Sequence, residues 1–171
     1  MRGGIKKGTV AWDDESRKID KNTREAAELL KSIFPELRCV KRMSRKDKLK
    51  YVGDDCFGFS PDGGAWFYGD KLLAVFESKK QNMEGNANER WYDNATTAQY
   101  INKDVKYHTF CVGSGTAPDG PLGKMARCAP IKLGEGVSFT LSEKVPTLRT
   151  VYNIMKQILE VEVFEASRKA A

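Results

Sequence analysis

The stretch Ser60-Pro-Asp-Gly-Gly-Ala-Trp-Phe-Tyr-Gly-Asp-Lys-Leu-Leu-Ala-Val-Phe-Glu-Ser-Lys79 decides how this chain folds. Two aromatic and aliphatic runs, Ala65-Trp-Phe-Tyr68 and Leu72-Leu-Ala-Val-Phe76, stand on either side of Gly69-Asp-Lys71, which is a hairpin pattern. Pro61-Asp-Gly-Gly64 in front of them is a turn signal. The second run is apolar on both faces, as expected of a buried, central strand. Side chains alternate along a strand, so Glu77 and Lys79 at its end project to one face. Asp62 precedes Glu77 by fifteen positions, with the Gly69-Asp-Lys71 turn near the midpoint. A hairpin of that register folds Asp62 back towards Glu77 and Lys79.

Two carboxylates and one ammonium at a sheet edge have a definite chemistry. Mg²⁺ binds through oxygen, commonly one or two carboxylates with water filling the other positions. Bound Mg²⁺ polarises a phosphodiester and activates water, and a lysine beside it stabilises charge developing on phosphorus. A bland reading of the same residues stands beside this one. Asp62 is then a turn residue, and Glu77 and Lys79 are a surface pair closing a strand. Ala117-Pro-Asp-Gly120 repeats the Pro-Asp-Gly trio without such a strand behind it, and Asp119 reads as a plain turn residue.

Outside this hairpin the chain reads as α/β. A helix is expected from about Asp20 or Asn22 to Phe34, with Ala26, Ala27, Leu29, Leu30, Ile33 and Phe34 on its apolar face and Pro35 ending it. Residues 1–19 read as a partly ordered arm, and 37–43 as a weakly marked strand. Trp91, Ala95, Ala98 and Ile101 recur at helical spacing over 86–102. Strands are expected at 109–112 and 137–141, a Gly/Pro-rich loop at 113–123, and a long helix over 147–167. The apolar face of that helix is Leu148, Val151, Tyr152, Met155, Ile158, Leu159 and Val163. No repeat or linker interrupts the 171 residues, so a single domain with a mixed β-sheet flanked by helices is expected.

Composition narrows the function classes. The chain is 40% hydrophobic and 30% charged, a globular profile, with a formal net charge of +6. Residues 1–50 hold fifteen Lys/Arg against eight Asp/Glu, and 41–50 alone hold six against one. Such a stretch attracts polyphosphates, and it equally suits a solvated loop or strand edge. Cys39, Cys56, Cys111 and Cys128 form no CxxC pair, which argues against a zinc ribbon. The one histidine, His108, sits in an expected strand, where a structural role is the commoner one. No secretory signal or membrane-length apolar run is seen, so a cytoplasmic protein with reduced thiols is expected, and no membrane partner.

A further motif adds to the hairpin. Pro-Asp-Gly-Gly64, then Glu-Ser-Lys79, then Gly85-Asn-Ala-Asn-Glu-Arg90 occur in this order. The combination resembles the EcoRI-type restriction endonucleases and their MunI-like relatives, of the PD-(D/E)xK nuclease superfamily. The resemblance covers residues 60–90. It implies a restriction-endonuclease-like core, Asp62 and Glu77 as metal ligands, and Asp62, Glu77 and Lys79 as the catalytic set with Mg²⁺ as cofactor. It also implies that Asn86, Ala87, Glu89 and Arg90 read the bases of an AATT-centred site in double-stranded DNA. Asn and Arg suit bidentate base contacts, while Asn86 followed by Glu89 is also a helix capping box; the two readings are compatible. Only five residues separate Lys79 from Gly85, fewer than in the family, which leaves the outer base pairs unspecified. The activity implied is that of a type II enzyme acting as a homodimer on a palindrome, alongside a methyltransferase that protects the same site, in a prokaryotic or phage setting. A superfamily nuclease of DNA repair or phage DNA processing is one alternative, and a non-catalytic basic DNA-binding protein another. Glu28, on the first helix, is a further carboxylate whose approach to the site the sequence leaves open.

Overall fold

A computed structural model describes residues 10–51, 60–80, 104–113 and 136–171. In chain order the elements are α1 (Val10–Ile33), β1 (Leu37–Val40), α2 (Arg45–Tyr51), β2 (Ala65–Tyr68), β3 (Lys71–Lys80), β4 (Lys106–Val112), β5 (Val137–Ser142) and α3 (Leu148–Ala170). The five strands form one mixed sheet in the order β1-β2-β3-β4-β5. β1, β2 and β3 pair antiparallel, whereas β3, β4 and β5 pair parallel. The α/β class with a mixed, helix-flanked sheet is therefore present, and β3 is its central strand. The helix expected over 86–102 and the loop over 113–123 lie outside the described residues, apart from Gly113.

The hairpin forms as expected, with a tighter turn. Tyr68 pairs with Lys71, leaving only Gly69 and Asp70 in the loop. Gly69 adopts φ +58, a conformation that costs glycine little. Ala65 pairs with Val75 and Trp66 with Ala74, but Phe67 pairs with Leu72, so Leu73 is an extra residue bulging from β3. That bulge changes which face each later residue takes. Leu73, Ala74 and Phe76 join the core beneath α1 and α3, while Leu72 and Val75 join a second core on the opposite face. By alternation, Glu77 and Lys79 lie on the Val75 face and Ser78 on the Phe76 face.

The first core packs Ile19, Ala26, Ala27 and Leu30 of α1, Phe34 just past its end, and Val151, Met155, Leu159 and Ala166 of α3 against Trp66, Phe76, Phe110 and Val112. Thr147 caps α3, its side chain accepting a hydrogen bond from the Thr150 amide at 3.2 Å. Two details of α1 differ from the sequence reading. The helix begins at Val10, so residues 10–19 are helical rather than part of an arm. Leu29 is 51% and Ile33 43% exposed, because their neighbours Leu30 and Phe34 take the inward positions.

On the second face, Met43 and Tyr51 cover Ala65, Phe67, Val75 and Tyr107. β1 ends at Val40 rather than at Met43, and α2 follows it. Ser44 and Asp47 start α2: the Ser44 hydroxyl accepts from the Asp47 amide at 3.1 Å and bonds its carboxylate at 2.9 Å. The basic stretch thus becomes a short helix lying over the sheet, with Arg38 stacked 4.3 Å from the Phe67 ring centroid beside it.

Candidate functional site

The strand geometry continues past the end of β2. The Gly63 amide donates to the Phe76 carbonyl at 2.9 Å, and the Phe76 amide to the Gly64 carbonyl at 3.2 Å. These bonds hold Pro61-Asp-Gly-Gly64 alongside β3 and set Asp62 opposite Ser78. Both glycines are required by packing. A Cβ on Gly63 would lie 2.5 Å from the Phe76 Cβ and 2.9 Å from the Thr23 Cγ2. Gly64 adopts φ +83, and a Cβ there would lie 2.5 Å from the Cys39 sulfur.

Ser78, the residue between Glu77 and Lys79, ties the site together. The Asp62 Oδ2 accepts from the Ser78 amide at 3.2 Å and from its hydroxyl at 3.0 Å. The same hydroxyl bonds the carboxylate of Asp20 on α1. The Asp62 Oδ1 faces Arg24, one turn further along α1, with a guanidinium nitrogen at 3.3 Å. Asp20, Asp62, Glu77 and Lys79 act on one another electrostatically, so all four reach the same region.

Glu77 is the most perturbed of them. Its burial raises the carboxyl well above the usual range, and the Asp62 carboxyl pushes the same way by charge and hydrogen bonding; Lys79 opposes them. Asp20 is also raised by burial, with the Ser78 hydrogen bond working against the shift. The Tyr107 phenol, on the Glu77 face of β4, is raised by burial and then by Glu77 and Asp62. Thr109 pairs directly with Glu77 across the parallel ladder and points to the same face. Its buried hydroxyl has no hydrogen-bond partner, alone in this respect among the described buried side chains.

The structure therefore brings Asp62, Glu77 and Lys79 together, and it adds Asp20, which sequence reasoning passed over. The first helix was expected to begin at about Asp20, which instead lies ten residues inside α1. The usable signal was the helical spacing of Asp20 and Arg24. Glu28 does not approach the carboxylates. It pairs with Lys31 at 2.9 Å and Lys41 at 3.0 Å. Asn86, Ala87, Glu89 and Arg90 lie outside the described residues.

His108 is built into the opposite face. Its Nδ1 lies 2.7 Å from the Ser138 hydroxyl and its Nε2 2.7 Å from that of Thr140. Burial pulls the imidazole down to about 4. A neutral ring with a partner on each nitrogen is a structural histidine.

The chemistry of the site suits a hard cation. All its donors are oxygens, and the Asp62 carboxyl acts on the buried Glu77 carboxyl by charge and hydrogen bonding. Among the described residues no group of three or more His, Cys, Asp or Glu side chains is arranged to hold a metal ion. A fit would thus rest on the Asp62–Glu77 pair with water completing the shell, as Mg²⁺ prefers.

No known family, characterised protein or solved structure matches this chain.

Of the other sequence expectations, Cys39 and Cys111 are free thiols, and burial raises Cys39 to about 11. Cys56 and Cys128 lie outside the described residues. No helix among the described residues is long and apolar enough to cross a membrane.

Proposed function

We propose that this chain is a Mg²⁺-dependent DNA endonuclease with a PD-(D/E)xK core, in which Asp62 and Glu77 hold the metal and Lys79 completes the catalytic set. The observation that carries this reading is the buried Glu77 carboxyl set against Asp62, with Lys79 on the same face of β3. A buried acid set against a second, half-buried one gains no stability from the pairing, whereas a cation between them would supply it.

Each side chain has a task in this reading. Asp62 and Glu77 supply two anionic oxygens. Ser78 fixes the Asp62 carboxylate through its amide and hydroxyl, and Asp20 shares that hydroxyl. Bound at the pair, Mg²⁺ supplies electrophilic activation of the phosphodiester and of water. Lys79 orients the attacking water and offsets charge developing on the phosphoryl oxygens. Tyr107, a buried neutral phenol on the Glu77 face, adds no charge to the site.

The specificity half of the proposal rests on the resemblance of Gly85-Asn-Ala-Asn-Glu-Arg90 to the base-reading segment of EcoRI-type enzymes. The chain would then be a type II restriction endonuclease cutting double-stranded DNA at a palindromic, AATT-centred site as a homodimer in the cytoplasm, with a methyltransferase acting on the same sequence. Digestion of plasmid and sequenced genomic DNA in Mg²⁺, with end sequencing, tests both halves. Discrete fragments sharing one terminal sequence are expected. A smear or junction-selective cutting would favour repair or phage processing instead. Glu77→Ala cutting as fast as the wild type would refute the site.

A further inference from the structure

Arg24 stands where the carboxylate cluster meets a groove of about 700 Å³. The groove is lined by α1, by the chain around Lys41 and Arg42, and by Pro61 and Asp62. Asp20 and Arg24 are four residues apart on α1 and so share a helix face, and Glu28 and Lys31 continue that stripe along the groove. Arg24 is 67% exposed although it faces Asp62, which is 17% exposed. Its guanidinium touches the Asp62 Oδ1, while the Ser78 bonds occupy Oδ2. Oδ1 is thus the Asp62 oxygen that Ser78 does not bond, and Arg24 covers it.

We propose that Arg24 is a substrate-binding residue with two partners: Asp62 in the free protein, and a backbone phosphate of the nucleic acid when a strand enters the groove. The proposal rests on the nuclease reading above. Two physical points favour the exchange. An exposed ion pair at 3.3 Å is weakly held and screened by salt. A phosphate accepts the planar guanidinium in a bidentate, charge-assisted geometry. The exchange removes the cation from Asp62 as the phosphate arrives, so Asp62 becomes available to the metal when substrate is present. The groove supplies the approach, since Lys41 and Arg42 line it with Arg24.

Mn²⁺ binding to the whole protein without DNA, read from the electron paramagnetic resonance of the free ion, separates this role from a structural one. Arg24→Gln should bind Mn²⁺ about threefold more tightly than the wild type, the reach of an exposed ion pair, and Arg24→Lys should stay near the wild type. In EDTA, a short synthetic duplex with a central AATT should bind Arg24→Gln several-fold more weakly by fluorescence anisotropy. Unchanged or weaker Mn²⁺ binding by Arg24→Gln, or unchanged duplex affinity, overturns the exchange. A wild type that cuts DNA while Arg24→Gln shows no such change defeats this inference alone. A wild type that neither binds Mn²⁺ nor cuts DNA defeats the nuclease reading and this inference with it.

Discussion

His108 and Glu77 are both buried, both ionisable and on neighbouring strands, yet they face opposite sides of the sheet. On the α1/α3 side the imidazole has a hydroxyl on each nitrogen, and the buried Thr23 hydroxyl bonds the Ile19 carbonyl at 2.8 Å. On the other side Glu77 is buried beside a second acid, and the Thr109 hydroxyl paired with it has no partner. Buried polar groups are normally satisfied, and each exception asks for a reason. Around His108 each buried polar group has a partner within the protein, whereas around Glu77 an acid faces an acid and the Thr109 hydroxyl has none. Local rules are most often broken where function needs it.

The largest effect should come from Asp62, which bonds Ser78 on one face and meets Glu77 from the other. Asp62→Asn should reduce plasmid cleavage in Mg²⁺ by about 10³-fold, as losing a principal electrostatic element of a site does, with the far-ultraviolet circular dichroism unchanged. Cleavage near the wild-type rate would mean that no catalytic site stands where the two faces meet. Packing at their junction comes next. Gly63→Ala forces a methyl against Phe76 and Thr23 and should cost about 3 kcal/mol, read as a lower urea midpoint.

The His108 face should show itself in acid. The folded His108 lies at about 4 against an ordinary 6.5, so the folded state holds it neutral. Its contribution is complete above about pH 6.5 and is lost as pH falls towards 4. That difference is worth about 3 kcal/mol. Between pH 7 and pH 4 the wild type should therefore lose about 3 kcal/mol more stability than His108→Asn; equal losses would show that the imidazole is not held neutral. The smallest effect runs the other way. In EDTA, Glu77→Gln should raise stability by about 1 kcal/mol, because it removes an acid buried beside an acid. A fall in the unfolding midpoint would mean that Glu77 is stabilising as it stands.

Much of this contrast was legible in the sequence, for particular reasons. The hairpin was marked by its two apolar runs and a glycine turn, and alternation alone put Glu77 and Lys79 on one face. The apolar face expected of α3 is the one that packs, with Val151, Met155 and Leu159 fully buried and Leu148, Tyr152, Ile158 and Val163 at its margins. Other features were not available. Helical spacing cannot choose between adjacent apolar residues, so Leu29 and Ile33 were expected inside and lie outside. The Leu73 bulge leaves no mark in the sequence, yet it decides which face receives Glu77. Asp20 stood at the expected start of the first helix, where nothing in the sequence ties it to the hairpin. The Ser44…Asp47 capping pattern that opens α2 is present in the sequence, but the charge density around it equally suits a solvated loop.

The central claim is that the acids around Ser78 are arranged for a divalent cation, and thermal unfolding with and without Mg²⁺ asks that question of the whole protein. A ligand that binds only the folded state raises the midpoint with its concentration. The wild-type midpoint should rise steadily with added Mg²⁺ and return in EDTA, while Glu77→Gln, more stable at the outset, should not respond. Equal responses from the two proteins, or none from either, would contradict the account.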